Sequence, residues 1–268
     1  MPQTTEKSAE QVELSDETQG EVMKRIRLII TVGMIVLCVG HTGVSQQPTV
    51  QNLDAAFWKR SHEWSEDAIW NKGIKPLASG SATMMAAKPA NYTVTVSSGA
   101  VTVLSFKSNY QNPGTDWTPT LLVSTNFTIE KFLELGVQAN GALIVTDGGH
   151  VSLRSGRSCF GAGGYSGALT VESGGIFECS GAFEIGEKGT VKVNGILKSL
   201  YPVFNTSLSI SESGRLYIGK DGKVILRGDL TANGTLLKYI SDGKISGAGE
   251  IKPAYDIVSG QTLLTAEQ

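Results

Sequence analysis

The sequence has few of the residues from which metal centres and redox sites are built. It contains only three cysteines and three histidines in 268 residues. Cys38, Cys159 and Cys179 form no Cys-x-x-Cys pair, and no histidine lies at a metal-ligand spacing from them. We therefore expect no metal site and no cofactor. Cys159 and Cys179 either pair as a disulfide in an oxidising compartment or pack as small residues in a β interior.

Motifs for nucleophilic catalysis, calcium binding and phosphate binding are also missing from the sequence. His62 and His150 are not accompanied by the Gly-x-Ser-x-Gly elbow of a serine hydrolase. The glycine cluster at 161–164 has neither the aspartate of a calcium-binding repeat nor a following Lys-Ser/Thr pair. The sequence thus predicts no catalytic residue.

Charge is scarce and evenly spread. Charged residues make up 18% of the chain, the formal net charge is −2, and the basic residues form no patch, so no nucleic-acid partner is expected. The carboxylates considered as acid/base candidates are Glu172, Glu178, Glu184, Glu187, Asp221, Asp229 and Asp242. Several of them lie beside the apolar residues of predicted strands, which favours a solvated face over a carboxylate site.

A hydrophobic run long enough to span a membrane is missing too. The apolar stretch from Leu28 to Gly40 has 13 residues, whereas a membrane-spanning helix takes about 20. Basic residues precede it and small residues follow it, so it predicts a secretory signal at 23–45, with a signal-anchor as the alternative. Cys38 fits a lipobox poorly because Leu37 precedes it. We expect a secreted or cell-surface protein that contacts membrane only through an uncleaved signal.

Glycine is the residue in excess. It accounts for 32 of 268 residues, well above the usual share of about 7%. The glycines do not fall at every third position, which excludes collagen, and alternating Val, Leu and Ile between them disfavour disorder. Turns remain as the reason for the excess.

An eight-residue unit, φ-x-φ-x-x-x-G-x with φ apolar, recurs between these glycines. In one copy Leu143 and Val145 precede Gly149, and Val151 and Leu153 open the next copy. Apolar residues at i and i+2 share one face of a strand, and we expect the glycine to take φ > 0 at the corner that follows. The turn glycines predicted from this spacing and from the first strands are Gly99, Gly141, Gly149, Gly175, Gly189, Gly214 and Gly222.

The unit fits either a parallel β-helix or a meander that folds into a β-sandwich or barrel. The turns rarely show Asn-Gly or Asp-Gly, the strands are short, and the recurrence from Leu143 to Leu169 is 26 residues, close to one coil. We therefore predict an all-β, right-handed, single-stranded parallel β-helix with three strands per coil.

The domain organisation follows from where the unit begins and ends. Trp58, Trp64 and Trp70 lie in an irregular segment ahead of it, where we expect core packing more than sugar stacking. The predicted segments are a polar extension at 1–22 that favours a true start at Met23, the signal at 23–45, an N-terminal cap at 46–89, the β-helix at 90–251 and a C-terminal tail at 252–268.

The segments Ala90-Asn-Tyr-Thr-Val-Thr-Val-Ser-Ser-Gly-Ala-Val-Thr-Val and Gly167-Ala-Leu-Thr-Val-Glu-Ser-Gly-Gly resemble autotransporter-passenger-like and pectin-lyase-like repeat regions of secreted bacterial proteins. The resemblance covers about residues 90–250 and is one of repeat style. It implies a β-helix that acts as a stalk, an adhesin, a protective layer or a polysaccharide-binding scaffold, with a lyase or hydrolase site in some members. No catalytic residue of those members maps onto this chain.

Two functions follow as hypotheses. The first is a structural or adhesive surface protein whose non-repetitive insertions, at 104–126 and 154–166, contact other surface proteins. The second is a polysaccharide-binding or polysaccharide-degrading protein, with Tyr110, Trp117 and Tyr165 as candidate ligand contacts. A groove lined by two carboxylates about 5–10 Å apart together with a Lys or Arg favours an enzyme, and a smooth Ser/Thr face favours the structural role.

Overall fold

In the computed structural model the chain divides into two compact units, residues 1–47 and 48–268. The structure describes residues 50–52, 61–70, 74–86, 91–110, 117–202 and 207–267, all of which belong to the second unit. The predicted signal at 23–45, Cys38 and Trp58 lie outside the described residues.

Short strands make up most of the second unit. In chain order the first ten are β1 (Val50–Asn52), β2 (His62–Glu63), β3 (Ser81–Ala86), β4 (Thr93–Val96), β5 (Val101–Tyr110), β6 (Thr120–Val123), β7 (Asn126–Leu135), β8 (Gly141–Val145), β9 (His150–Leu153) and β10 (Arg157–Phe160). A short 3-10 helix at Asp67–Ile69 lies between β2 and β3.

The later strands continue the same pattern until a helix interrupts it. They are β11 (Gly167–Val171), β12 (Ile176–Cys179), β13 (Ala182–Ile185), β14 (Gly189–Val193), β15 (Ile196–Ser199), β16 (Leu208–Ile210), β17 (Arg215–Ile218), β18 (Lys223–Arg227), β19 (Ile245–Gly247), β20 (Glu250–Asp256) and β21 (Gln261–Glu267). The α-helix α1, Gly234–Ser241, lies between β18 and β19.

Parallel pairing stacks the strands into three faces. The first face is β2-β4-β6-β8-β11-β14-β17-β19. The second face joins the first halves of β5 and β7 to β9, β12, β15 and β18, and the third joins β3 and the second halves of β5 and β7 to β10, β13 and β16. The predicted parallel β-helix is confirmed as a solenoid of about 6 turns, and the alternative of a meander or sandwich is wrong because the coils pair in parallel.

One coil consists of one strand from each face. Leu143 pairs with Leu169, the 26-residue recurrence that the sequence predicts. Other coils depart from that length, since Leu121 pairs with Leu143 after 22 residues and Leu216 with Ile245 after 29. The repeat is therefore regular in its strands and variable in its connections.

The apolar positions of the eight-residue unit line the interior of the solenoid. Leu143, Val145, Val151 and Leu153 are all fully buried, and strands such as β8 and β9 alternate strictly between buried and half-buried residues. In the copy of the unit that ends at Gly141, Leu135 and Val137 are the predicted apolar pair. Leu135 is buried, but β7 ends there and Val137 lies half-buried in the turn that follows.

The corner glycines do not serve the purpose that we predicted for most of them. Of the seven, Gly99 alone has a positive φ, at 69°. At two others the left-handed residue is the glycine just before, Gly148 (74°) before Gly149 and Gly174 (78°) before Gly175. The reason for glycine at Gly149 and Gly222 is close approach, because a Cβ there would collide with the carbonyl oxygen of the coil before it.

The predicted insertions at 104–126 and 154–166 both contain strands of the solenoid, so the prediction that they are non-repetitive is wrong for those strands. Residues 104–110 belong to β5, residues 120–123 form β6, and residues 157–160 form β10. β5 and β7 turn from the second face to the third through a β-bulge between Val103 and Ser105, without a glycine corner. On the third face, β10 and the second half of β5 were missed, whereas the apolar residues of β13 and β16 fit the predicted unit that ends at Gly189 and Gly214.

Aromatic residues close the N-terminal end of the core. Trp64 and Trp70 are buried, with ring centroids 4.8 Å apart, and Trp64 also contacts Phe127 at 5.2 Å. The Trp70 indole N–H donates to the carbonyl of Trp64. Core packing is therefore confirmed for these two tryptophans.

A helix and a hairpin close the C-terminal end. The helix α1 begins at the N-cap Asn233, whose side chain accepts from two backbone N–H groups, and buries Leu236. β20 and β21 form an antiparallel hairpin, and β21 pairs with β18, so residues after 251, expected as a tail, cover the last coil. Pro253 lies within the outer strand β20 and removes one donor from its open edge.

Candidate functional site

The three aromatic residues predicted to contact a ligand lie on separate segments of the solenoid. Tyr110 is the last residue of β5, Trp117 lies half-buried ahead of β6, and Tyr165 lies half-buried in the turn before β11. Neither Trp117 nor Tyr165 lines the two cavities described below. They were chosen because they lay in or near the predicted insertions, which the structure shows to contain strands of the solenoid.

An open groove on the third face is the better candidate. It has a volume of about 410 Å³ and lies across the outer surface of β3, β5, β7 and β10. The side chains that face it, which together define the third-face groove, are Ser81, Ser105, Lys107, Phe132, Glu134 and Arg157.

Strand register places these side chains in two rows. Ser81, Ser105, Phe132 and Arg157 are paired in succession across four strands, and Lys107 is paired with Glu134 in the row two residues further on. Because residues at i and i+2 share a face, both rows point outward while the residues between them are buried. Had β3, β10 and the second half of β5 been recognised as strands, period-two alternation would have assigned these side chains to the surface.

Phe132 is the unusual member of the first row. Its side chain is 45% exposed, whereas its neighbour Leu133 is fully buried. It is the first residue to pair after the β-bulge, whose extra residue in β7 re-aims the chain at this corner. The groove therefore presents one aromatic surface between hydroxyl groups and charged groups.

Arg157 holds together the carboxylates of the third face. It contacts Glu134 at 3.0 Å and Glu184 at 3.7 Å, and the hydrogen bond that the guanidinium donates to Glu134 raises its pKa. Glu134 and Glu184 flank β10, so their backbones are two strand spacings apart, roughly 9–10 Å. Lys107 has no ion-pair partner in the described part of the chain and supplies the unpaired positive charge of the groove.

Cys159 lies behind this ion pair and is not a nucleophile. Burial, followed by the charge of Glu184, raises its pKa from 9.0 to about 12. The thiol is therefore protonated at neutral pH, and a protonated thiol is a poor nucleophile.

The second buried cysteine, Cys179, is the last residue of the second-face strand β12. Cys179 faces the interior, where its Sγ is 3.5 Å from the hydroxyl of Ser158 and its S–H donates to the carbonyl of Gly181. Ser158 and Cys159 are consecutive strand residues and point to opposite faces. Both cysteines are free, and of the two predicted alternatives packing is correct.

The remaining acidic candidates do not assemble. Glu178 pairs with Lys198 at 3.2 Å, and Asp242 pairs with Lys238 at 2.9 Å within α1 and its end. No group of three or more His, Cys, Asp or Glu residues among the described residues is arranged to hold a metal ion.

A second cavity, of about 470 Å³, lies at the N-terminal end of the solenoid. Glu63, Lys75 and hydroxyl residues of the first corner line it, and the Glu63 carboxylate accepts a hydrogen bond from Ser97 at 2.7 Å. Trp64 also lines it but is only 2% exposed, so it offers no ring face for stacking. The third-face groove is therefore the stronger candidate for recognising a ring-shaped ligand.

The fold and the groove define the class of this protein as a parallel β-solenoid without an assembled catalytic centre among its described residues. Comparison with family models, with curated proteins and with solved structures finds no match for the chain. Within the described residues, no helix combines the length and apolar character needed to cross a membrane.

Proposed function

We propose that this chain is an exported structural or adhesive β-helix protein of the cell surface. The observation that carries the proposal is the position of Arg157 between Glu134 and Glu184. A glycosidase needs the space between its two carboxylates for the sugar and a water molecule. On the third face a guanidinium fills that space, and the three side chains join three successive coils.

Other ion pairs on the solenoid also join neighbouring coils. Glu178 and Lys198 come from β12 and β15, and Arg154 contacts Glu130 of the coil before it at 3.2 Å. Exposed pairs of this kind contribute only about 0.2–1 kcal/mol each, so their value lies in fixing one coil against the next. This use of charge suits a scaffold.

The likeness to autotransporter-passenger repeats supports the same proposal. In such proteins the β-helix is presented at the cell surface as a stalk or an adhesin.

Export itself rests on the signal predicted at 23–45. Fractionation of cells that express the full chain tests it: we expect the protein in the envelope or the medium, and recovery in the cytosol alone contradicts export.

Absence of turnover is the test of the non-catalytic role. We expect the full chain to release no new ends from a panel of plant and microbial polysaccharides. Turnover that is lost in both Glu134→Gln and Glu184→Gln but retained in Glu172→Gln, an exposed turn carboxylate, would contradict the proposal.

Polysaccharide binding at the third-face groove is the second candidate, and the exposed ring of Phe132 is what favours it. An aromatic face stacks on a sugar ring, and the neighbouring hydroxyl and charged groups offer hydrogen bonds to it. We expect Phe132→Ala to weaken binding of a recognised polysaccharide by roughly tenfold, in line with about 1–1.5 kcal/mol for one stacked ring. Tyr201→Ala, which removes a ring that is 37% exposed elsewhere, should leave binding unchanged.

A further inference from the structure

The outer surface of the first face is uncharged over four consecutive coils. Its two outward rows are continuous in register from strand to strand. From β4 to β11 their members are Thr93, Thr95, Thr120, Leu122, Ala142, Ile144, Ala168 and Thr170. All eight are half-buried, so they form a smooth surface of small and apolar side chains.

Charges of opposite sign flank this uncharged surface in one of the two rows. Glu63 on β2 precedes Thr95, and Lys192 on β14 follows Thr170. The row therefore reads, across six neighbouring strands, Glu63, Thr95, Leu122, Ile144, Thr170 and Lys192. Lys192 is exposed and has no ion-pair partner in the described residues.

The order of side chains in this row makes it complementary in charge to a second copy of the row placed in the reverse order. A two-fold axis that lies in the interface, parallel to the strands and midway between β6 and β8, reverses the order of the strands in the second copy. It places Glu63 opposite Lys192, Thr95 opposite Thr170 and Leu122 opposite Ile144. The second row, uncharged from β4 to β14, then meets itself as well. An isologous contact of this kind repeats every pairing twice.

We propose that a second copy of this chain packs on the first face about this two-fold axis, sheet against sheet. Charge complementarity selects the arrangement in which the strand order of the second copy is reversed. If the strand order were the same in both copies, Glu63 would lie opposite Glu63 and Lys192 opposite Lys192. An all-parallel sheet is usually covered on both faces, and the apolar Leu122 and Ile144 gain burial when the second sheet covers them. The proposal does not rest on the proposed function.

The dimer is expected to be weak. Six strands spaced by about 4.8 Å, each presenting about four residues, give a footprint of roughly 400 Å² per copy. A standard interface buries about 800 Å² per partner. The monomer and dimer should therefore exchange reversibly, and the two pairs of charges should make the equilibrium depend on salt.

Charge exchange provides the test. Sedimentation of the full chain from about 1 µM to about 1 mM should show a concentration-dependent dimer. Glu63→Lys and Lys192→Glu should each raise the dissociation constant roughly tenfold, because each variant puts like charges together at two symmetric places. An equimolar mixture of the two variants should dimerise like the wild type, since every contact then pairs opposite charges.

Matched variants separate this contact from a general effect of charge. Lys223→Glu on the second face and Glu187→Lys in a turn change the same charges at exposed positions outside the interface and should not alter dimerisation. Ile144→Lys, close to the axis, should abolish the dimer while far-UV circular dichroism stays unchanged. A chain that remains monomeric at all concentrations overturns the proposal, and so does a dimer that the charge variants do not weaken or that their mixture does not restore.

Discussion

The surroundings of a strand residue depend on which side of the coil wall its side chain faces. Cys159 is covered on the outer side of the third face beside Glu184, and Cys179 is enclosed in the core. The sequence left their pairing open because it does not show which face of a strand a residue takes until the corners are known. Once β10 is placed, the alternation of Ser158 and Cys159 decides the question.

The Cys159 thiol should resist modification in the folded protein. Folding raises its pKa from 9.0 to about 12, so the folded state favours the protonated thiol, and the free energy of unfolding falls as pH rises from about 9 towards 12. In a Cys38→Ser background, alkylation at pH 8.5 should be slow and should become fast in denaturant. The pH-dependent loss of stability should shrink in Cys159→Ala. Rapid alkylation of the folded protein at pH 8.5 would show that this thiol is accessible and ionised.

Corner glycines offer a second test at the residue scale. A Cβ at Gly222 would meet the carbonyl of Val193, whereas a Cβ at Gly234 meets nothing within 4 Å. We expect Gly222→Ala to lower the free energy of unfolding by about 1–3 kcal/mol, because the coils must separate to admit the methyl group. Gly234→Ala, at the start of α1, should be neutral or stabilising by up to about 1 kcal/mol. Chemical denaturation of the two variants, compared with the wild type, checks both; equal effects would refute the close-approach argument.

At the scale of the element, the sequence predicts strands well where a glycine corner precedes them. Val151 and Leu153, which follow Gly149, are found in the predicted strand and face the core as predicted. On the third face, β13 and β16 fit the predicted unit, but β10 and the second half of β5 escaped prediction, since β5 and β7 reach this face through a bulge and not through a glycine corner. The third-face groove was missed with them, since the exposure of Phe132 depends on that bulge.

The edge of β16 supplies a prediction for this scale. Its Ile210 N–H donates to the Tyr239 hydroxyl at 3.3 Å, and Lys244 Nζ donates to the Ile210 carbonyl at 3.4 Å, so side chains complete the unpaired edge. Tyr239→Phe should lower the free energy of unfolding by about 1 kcal/mol, the net value of one hydrogen bond. Tyr217→Phe, on the exposed first face, should leave it unchanged. Thermal unfolding of both variants and of the wild type tests this. Equal unfolding midpoints for Tyr239→Phe and Tyr217→Phe would show that the Tyr239 hydroxyl does not stabilise the edge of β16.

For the whole second unit, stability comes from each coil contacting the coils before and after it. The parallel β-helix was predictable because strand spacing, glycine turns and the absence of hairpin turns all indicated the same architecture. The ends were less predictable, since a cap has no repeat to read. Trp64 and Trp70 close one end by packing rings on the core, and an antiparallel hairpin closes the other.

This arrangement predicts that backbone protection is highest in the central coils. A coil with neighbours on both sides opens only when two interfaces break, whereas a terminal coil opens when one breaks. The difference should be largest at the N-terminal end, where β2 has two residues, against five in the central strand β11. Hydrogen exchange of the full chain, followed by mass spectrometry, should show peptides from 167–199 exchanging more slowly than peptides from 91–103. Equal opening free energies along the solenoid would instead mean that the caps bind the terminal coils as tightly as neighbouring coils do, and that the unit unfolds in a single step.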